Sequence, residues 1–367
     1  MRIVVFGLSI SSSWGNGHAT LWRGLCGALA RRGHSVVFFE RDVPYYAMNR
    51  DLWDIPAGEL VLYRDWGETI PLAERHLAGA DVAMVTSYCP DGVEATELAL
   101  SSPVDMRVFY DLDTPVTLAN LSEGRSVGYI GPHGLSGFDL VLSYTGGAAL
   151  DALKARLGAT RVAPLYGSVD PAIHRRVPSQ PHYAADLSYL GTYAADRQAA
   201  LHSLFMQPAQ HRPGRRFLIG GAQYPAEFPW LGNIFFVRHL PPSEHPAFYS
   251  SSRLTLNVTR AAMARMGWCP SGRLFEAAAC GVPILSDNWP GLGEFFTPGS
   301  EILVADTTED AIAALDLSSD ELARIALAAQ ERTAEQHTAD RRVIELERLL
   351  ADKAPPNPAL DLQRTVI

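Results

Sequence analysis

The sequence predicts an α/β protein of two doubly wound domains facing each other across a cleft. Three observations predict it. Short apolar runs of strand character alternate with helix-length segments from the amino end onward. That alternation breaks once, at the proline-rich stretch 164–181, "PLYGSVDPAIHRRVPSQP", and then begins again. The length, 367 residues, is what two domains of ordinary size require. In such sheets ligands sit beyond the carboxyl ends of the strands, so two facing domains make a cleft between those ends.

Taken in order, "RIVVFG" is a buried parallel strand closing on glycine. The turn-rich loop "SISSSWGNG" follows. The helix "HATLWRGLCGALARRG" carries Leu21, Leu25, Ala28 and Leu29 at helical spacing and closes on Gly33. "SVVFFE", "DVAMVTS", "MRVFYDL" and "DLVLSYT" continue as strands, and "ALDALKARLGA" is a short helix before "RVAPLY". Beyond the proline-rich stretch, "DLSYLGTY" leads into a helix over 196–205. "RFLIGG", "NIFFVRHL", "LTLNVT", "VPILSDN" and "EILVAD" are further strands, and one long helical pattern runs over 319–350. The expected division is a first domain over 1–170, a hinge over 171–185 and a second domain over 186–340. A helix end and Pro-rich tail occupy 341–367.

Composition narrows the function. A net charge of −9 argues against a chain built mainly to bind nucleic acid. Cys26, Cys89, Cys269 and Cys280 lie far apart, without a CxxC or a His at metal-ligand spacing; buried reduced thiols are expected and no structural metal. The amino end is too short in apolar residues for a signal segment, and no run reaches membrane-spanning length, which predicts a cytoplasmic protein without a transmembrane segment.

The chemistry concentrates at 271–295, "SGRLFEAAACGVPILSDNWPGLGEF", where one carboxylate sits in an otherwise apolar helix. Ser271 stands at the cap, Gly272 permits close approach of a ligand, and Arg273 lies in the first turn. A helix start favours an anion by about 0.3–1 kcal/mol, and a charge-assisted contact adds about 1.5–3 kcal/mol. Glu276 lies one turn on from Gly272, on the same face, and can accept hydrogen bonds from the two hydroxyls of a ribose. Anion plus diol is the signature of a nucleotide. A surface pair of Glu276 with Arg273 is the alternative.

"SGRLFEAAACGVPILSDNWPGLGEFF…GSEILVA" resembles the donor-site motif of group 1 glycosyltransferases of the GT-B fold, which pairs two Rossmann-like domains. "PLYGSVDPAIHRRVP" is similar to their interdomain element, and "SYLGTYAADRQAAL" to the first strand and helix of their nucleotide domain. With "FYDLDTPVTL" and "FDLVLSYTGG", the chain looks most like the spore-maturation CgeB-type branch. The resemblance implies a metal-independent transfer of sugar from a nucleotide diphosphate to a hydroxyl or other nucleophile. A UDP-sugar is the first choice of donor, before a GDP- or dTDP-sugar, with no separate cofactor. The acceptor is open among glycan, lipid, small molecule and protein. Thr192, Tyr193 and Arg197 match the diphosphate loop, and His239 and Leu240 the loop that grips the base. Asn257 ends a strand in the same cleft. Gly15, Asn16, Gly17 and His18 match the loop facing the reacting sugar. The wider group carries a second glutamate eight positions before Glu276; here that position is Trp268.

Two more carboxylates need a reading. Glu40, at a strand end, resembles the ribose-binding acid of a dinucleotide fold, but no G-x-G-x-x-G follows the first strand directly. Asp111-x-Asp113 is a metal-binding pattern in the other glycosyltransferase fold. In a two-domain α/β chain Asp113 instead lies beyond a strand end, where it can deprotonate an acceptor hydroxyl or close an Asx-turn before Pro115. Two further functions remain open at this stage: an epimerase or phosphorylase on the same two domains, and a catalytically degenerate binding protein, for which Trp268 speaks.

Overall fold

The computed structural model describes residues 1–352; the remainder of the Pro-rich tail expected from 341 onward lies outside the described residues. Two wholly parallel sheets form the frame. The first contains β1 (Arg2–Gly7), β2 (Ser35–Arg41), β3 (Glu59–Tyr63), β4 (Val82–Thr86), β5 (Met106–Asp111), β6 (Leu140–Ser143) and β7 (Val162–Pro164). The second contains β8 (Leu187–Leu190), β9 (Phe217–Gly221), β10 (Ile234–Arg238), β11 (Thr255–Asn257), β12 (Ile284–Ser286) and β13 (Leu303–Val304). Their orders are β3-β2-β1-β4-β5-β6-β7 and β10-β9-β8-β11-β12-β13. Each sheet starts in its middle and winds outward both ways. The winding reverses between β1 and β4 and between β8 and β11, where ligands of such folds enter.

Apolar side chains alternate between the two faces of each strand, so each sheet carries a core on both sides. In β1, Ile3 and Val5 pack into one core while Val4 and Phe6 pack into the other. In the second sheet, Leu218 and Ile284 face one core, and Phe217, Ile219 and Leu285 the other. Burial on both faces is why these strands read as continuous apolar runs rather than alternating ones.

Among the places where the structure departs from the sequence reading, three bear on the frame. β3 and the helix Trp66–Ala78, which carries Pro71 inside it, were not foreseen. The helix expected over 196–205 continues to His211 through a π-turn at His202–Met206. Pro208 has no N–H to donate, so it reads as a stop, yet it falls in the first turn after the π-turn. The long pattern over 319–350 is two helices, Ser319–Gln336 and Ala339–Ala351, broken at His337. The Thr338 hydroxyl caps the second helix by accepting from the Arg341 N–H.

That last helix returns to the first domain. Val343, Leu346 and Leu350 join the core made by Leu21, Leu25 and Ala28 of the first helix, Gly17–Arg31. Arg31 pairs with Asp340 at 3.0 Å, and Arg32 and His34 both reach Glu347, at 2.6 and 2.7 Å. The linker is tied to the same joint: the Val169 N–H donates to the His337 carbonyl at 2.9 Å, and the Ala339 N–H to the Val169 carbonyl at 2.8 Å. The four cysteines are free and buried, as expected. Among the described residues, no helix is long and apolar enough to cross a membrane.

Candidate functional site

The helix Gly272–Ala279 begins where the second domain meets the first. A Cβ built on Gly272 would stand 3.8 Å from the Tyr144 hydroxyl, contributed by the segment after β6, and 4.0 Å from Glu276 Oε1. Glu276 does share the Gly272 face, and it is buried, 8% exposed. The surface pair with Arg273 is therefore set aside. Ser271 occupies the N-cap position, but its hydroxyl makes no capping hydrogen bond, contrary to the expected cap.

Glu276 Oε2 faces two imidazoles that the sequence did not single out. His174 Nε2, from the linker, stands 3.8 Å away, and His245 Nδ1, from the helix His245–Ser250, stands 3.4 Å away. Burial would push the Glu276 carboxyl up. The charges of His174, His245 and Arg273 prevail over it and hold the group at about 2, so it is ionised. Burial pulls His174 below the ordinary histidine range, against the attraction of Glu276.

Positive charge gathers in front of the same helix. Arg197 is partly buried, its Nη1 donating to the Thr192 carbonyl at 3.4 Å while its Nε has no partner among the described residues. Burial first, and then the like charge of Arg273, lower its pKa: the two cations repel across a gap that an anion would relieve. Arg260 is already paired, with Asp196 at 3.1 Å. The loop after β8 is braced from β9, with the Tyr193 N–H on the Ala222 carbonyl at 2.9 Å and the Tyr224 hydroxyl on the Gly191 carbonyl at 3.0 Å. Gly221 is required there, since a Cβ would lie 2.1 Å from the Gly191 oxygen.

His239 and Leu240 follow β10. His239 adopts φ +49°, and its N–H donates to the Gly221 carbonyl at 2.7 Å; Leu240 is buried. The His239 ring lies against Trp14 of the first domain, centroids 3.7 Å apart, so the two loops already touch across the cleft. Asn257 ends β11. Its amide donates to Ser286 Oγ at 3.1 Å, and its side-chain oxygen has no partner among the described residues.

In the first domain, Glu40 holds the loop after β1. It accepts from the Ser9 hydroxyl (2.9 Å), the Ser11 hydroxyl (2.6 Å), and the Ile10 and Ser11 N–H groups (2.8 and 2.9 Å). Completely buried, it has no face left for a ribose, which removes the dinucleotide reading. Asn16 caps the first helix by accepting from the His18 N–H at 3.1 Å, and also donates to the Ser9 and Ser12 carbonyls. Gly15 takes φ +59°, which glycine allows, and Gly17 has open space in front of it.

That loop delivers His18 to Asp113, Nε2 to Oδ2 at 2.8 Å, with both side chains partly exposed. Asp113 heads the helix Thr114–Ser122 but makes no capping bond, so its carboxylate serves His18 rather than an Asx-turn. Asp111 is different. It is wholly buried, accepting from the Asp113 N–H at 3.1 Å and the Thr117 hydroxyl at 3.2 Å, and burial lifts it to about 6 despite those bonds. The two aspartates thus have opposite environments. Neither belongs to a three-ligand cluster among the described residues; the one such cluster is His174, His245 and Glu276.

Trp268 joins the domains. Its carbonyl accepts from the Gly146 N–H at 2.9 Å, its indole N–H donates to Glu294 at 2.6 Å, and its ring fills the space a Cβ on Gly147 would need, 2.5 Å away. Beside it, the Thr145 hydroxyl donates to Cys269 Sγ at 3.1 Å. Two surface hollows, of about 380 and 220 Å³ around Arg253, share no residue with this cleft.

Residues 197–348 match the family described as glycosyl transferase-like, a segment that contains the Gly272–Ala279 helix and Glu276. Solved structures then match almost end to end. A sucrose-phosphate synthase from Thermosynechococcus elongatus aligns over 95% of this chain and 98% of its own, with a TM-score of 0.69 and 13% identity. The chain has the GT-B fold, and residues 197–348 resemble the glycosyl transferase-like family. The Anabaena protein HepE, solved with UDP and glucose, covers 96% of this chain and 99% of its own at TM-score 0.65 and 13% identity. An alpha-glucosyltransferase solved with UDP and a 13-mer DNA covers 96% of this chain and 99% of its own at TM-score 0.66 and 14% identity. No curated protein sequence matches. In this GT-B chain the two halves touch where Tyr144 approaches Gly272, Trp14 meets His239 and Gly146 bonds Trp268; the Arg197–Arg273–Glu276 group belongs to the second half and the His18–Asp113 pair to the first.

Sequence reasoning singled out the members of both groups, but not the hydrogen bond between His18 and Asp113. It missed His174, His245, Trp14 and Tyr144. His174 sits inside the proline-rich stretch and His245 in "PPSEHPAF", where the only signal was a histidine near a loop end.

Proposed function

We propose that the chain is a glycosyltransferase that moves a sugar from a nucleotide diphosphate, a UDP-sugar first, to a hydroxyl or similar nucleophile, without a metal. The observation that carries this is the buried, ionised Glu276 one turn into a helix whose start faces two cations, Arg273 and the partly unpartnered Arg197. Arg197, Arg273 and the helix amides stabilise the diphosphate as negative charge grows on it. Glu276 accepts from the ribose hydroxyls, and the backbone around His239 and Leu240 meets the base. These two cations do the work a divalent ion does elsewhere, which supports the metal-independent reading. HepE and the alpha-glucosyltransferase, both solved with UDP, support UDP as the nucleotide.

On the opposite wall, Asp113 takes the proton of the acceptor hydroxyl, with His18 orienting and relaying it. Gly15, Asn16 and Gly17 shape the loop that presents His18 to the sugar. Closure about the linker excludes water that would hydrolyse the donor. The quoted "FYDLDTPVTL" and "FDLVLSYTGG" segments support placement in the CgeB-type branch.

Calorimetric titration with UDP, GDP and dTDP tests the reading: binding of one of them is expected, and no binding at millimolar concentration contradicts it. One observation favours a second reading, a nucleotide-binding protein without turnover: Trp268, in the position of the wider group's other glutamate, is occupied in joining the domains. Nucleotide binding without loss of donor across a broad acceptor panel would select it.

A further inference from the structure

We propose that His174 and His245 are positioning residues that hold one oxygen of Glu276 so that the other is presented to the ribose diol. The inference rests on the reading of the helix start as the nucleotide site. The two carboxylate oxygens have separate surroundings. Both imidazoles approach Oε2, while Oε1 lies on the Gly272 side. At 3.8 and 3.4 Å these contacts are longer than full hydrogen bonds and act through orientation and charge.

Among the described residues the histidines have no competing partner. His174 is 2% exposed, and both of its ring nitrogens lack a hydrogen-bond partner; His245 Nδ1 lacks one too. A buried imidazole with nothing else to bind is aimed at this carboxylate by default. The choice of residue type also makes sense. A buried carboxylate needs donors, but an arginine beside it would form a tight bidentate pair and consume both oxygens. Two imidazoles orient one oxygen and leave the other unoccupied. Because His174 belongs to the linker, the setting of Glu276 is tied to the segment that joins the domains.

The test uses the full chain, titrated calorimetrically with UDP and with 2′,3′-dideoxy-UDP, which lacks the diol. His174→Phe and His245→Phe are expected to weaken UDP about tenfold, the scale of one charge-assisted hydrogen bond. They should leave the dideoxy ligand's affinity unchanged, which also reports that the variants are folded. His174→Gln and His245→Asn place an amide N–H near the lost ring nitrogen and are expected to restore most of the UDP affinity. Equal losses for both ligands, or no loss for either, overturn the proposal while leaving the nucleotide site standing. So does displacement of UDP from the wild type by micromolar Zn²⁺, since the three side chains, whose ligand atoms lie within 4.8 Å of one another, are then a metal site. Failure of the wild type to bind UDP, GDP or dTDP overturns the nucleotide reading itself, and this inference with it.

Discussion

At the scale of single residues, two carboxylates carry the account, and each is set apart by its surroundings. Glu276 is kept charged inside the protein by imidazoles and an arginine; Asp113 is kept near the surface and engaged by His18. Replacing Glu276 with Ala is expected to weaken UDP binding by roughly 1–3 kcal/mol, the cost of losing a charged hydrogen-bond partner. Calorimetry checks this, and an unchanged affinity removes Glu276 from the site. Asp113→Asn is expected to lower kcat by about 10²–10⁴-fold with donor affinity intact, because only proton transfer is touched. A parallel fall in donor affinity would show the residue to be structural. Glu276 was legible because a lone charge in an apolar helix has few bland explanations. The partnership of His18 with Asp113 was half legible: each residue stood out, but not their hydrogen bond. His174 and His245 were not legible, because each meets Glu276 only through the folding of distant segments.

At the scale of elements, the sequence showed the β-α-β alternation and missed the joints. A helical pattern that runs through His337 looks continuous because Thr338 is only mildly unfavourable in a helix. The break is decided by tertiary contact, where the linker at Val169 bonds the His337 carbonyl and the Ala339 N–H of that joint. His337 is buried there against Phe275, centroids 4.6 Å apart, and its Nε2 donates to the Phe295 carbonyl at 3.2 Å. Burial first, then Arg342, lower its pKa from 6.5 to about 4. Between those values the unfolded chain binds more protons than the folded one. Stability is therefore full above about 6.5 and falls as pH drops toward 4, by roughly 2–3 kcal/mol at pH 4.5. Urea denaturation at pH 7 and about pH 4.5 should show a smaller acid loss for His337→Phe than for the wild type. Parallel losses would mean that the acid sensitivity lies elsewhere. β3 and its following helix were missed because Pro71 and the flanking glycines read as a loop.

At the scale of the whole molecule, two domains and a cleft were readable from the alternation and its single proline-rich interruption. What could not be read is that the chain's last helix crosses back and packs on its first. Amphipathic spacing says that a helix has a buried face, not which domain receives it. This strap makes the first domain depend on residues that come last in the chain. Leu346→Ala, in that shared core and 2% exposed, is expected to cost about 2–5 kcal/mol by chemical denaturation. A cost under about 1 kcal/mol would mean the strap contributes little to the first domain.

The central claim belongs to this scale as well, because the cleft has meaning only if the nucleotide lies where the second domain's helix meets the first. A crystal structure of the chain soaked with UDP tests it most directly. The account predicts diphosphate density at the Gly272 and Arg273 amides, within reach of Arg197, and the ribose hydroxyls on Glu276. Density for the nucleotide elsewhere, or a ribose whose hydroxyls avoid that carboxylate, would contradict it.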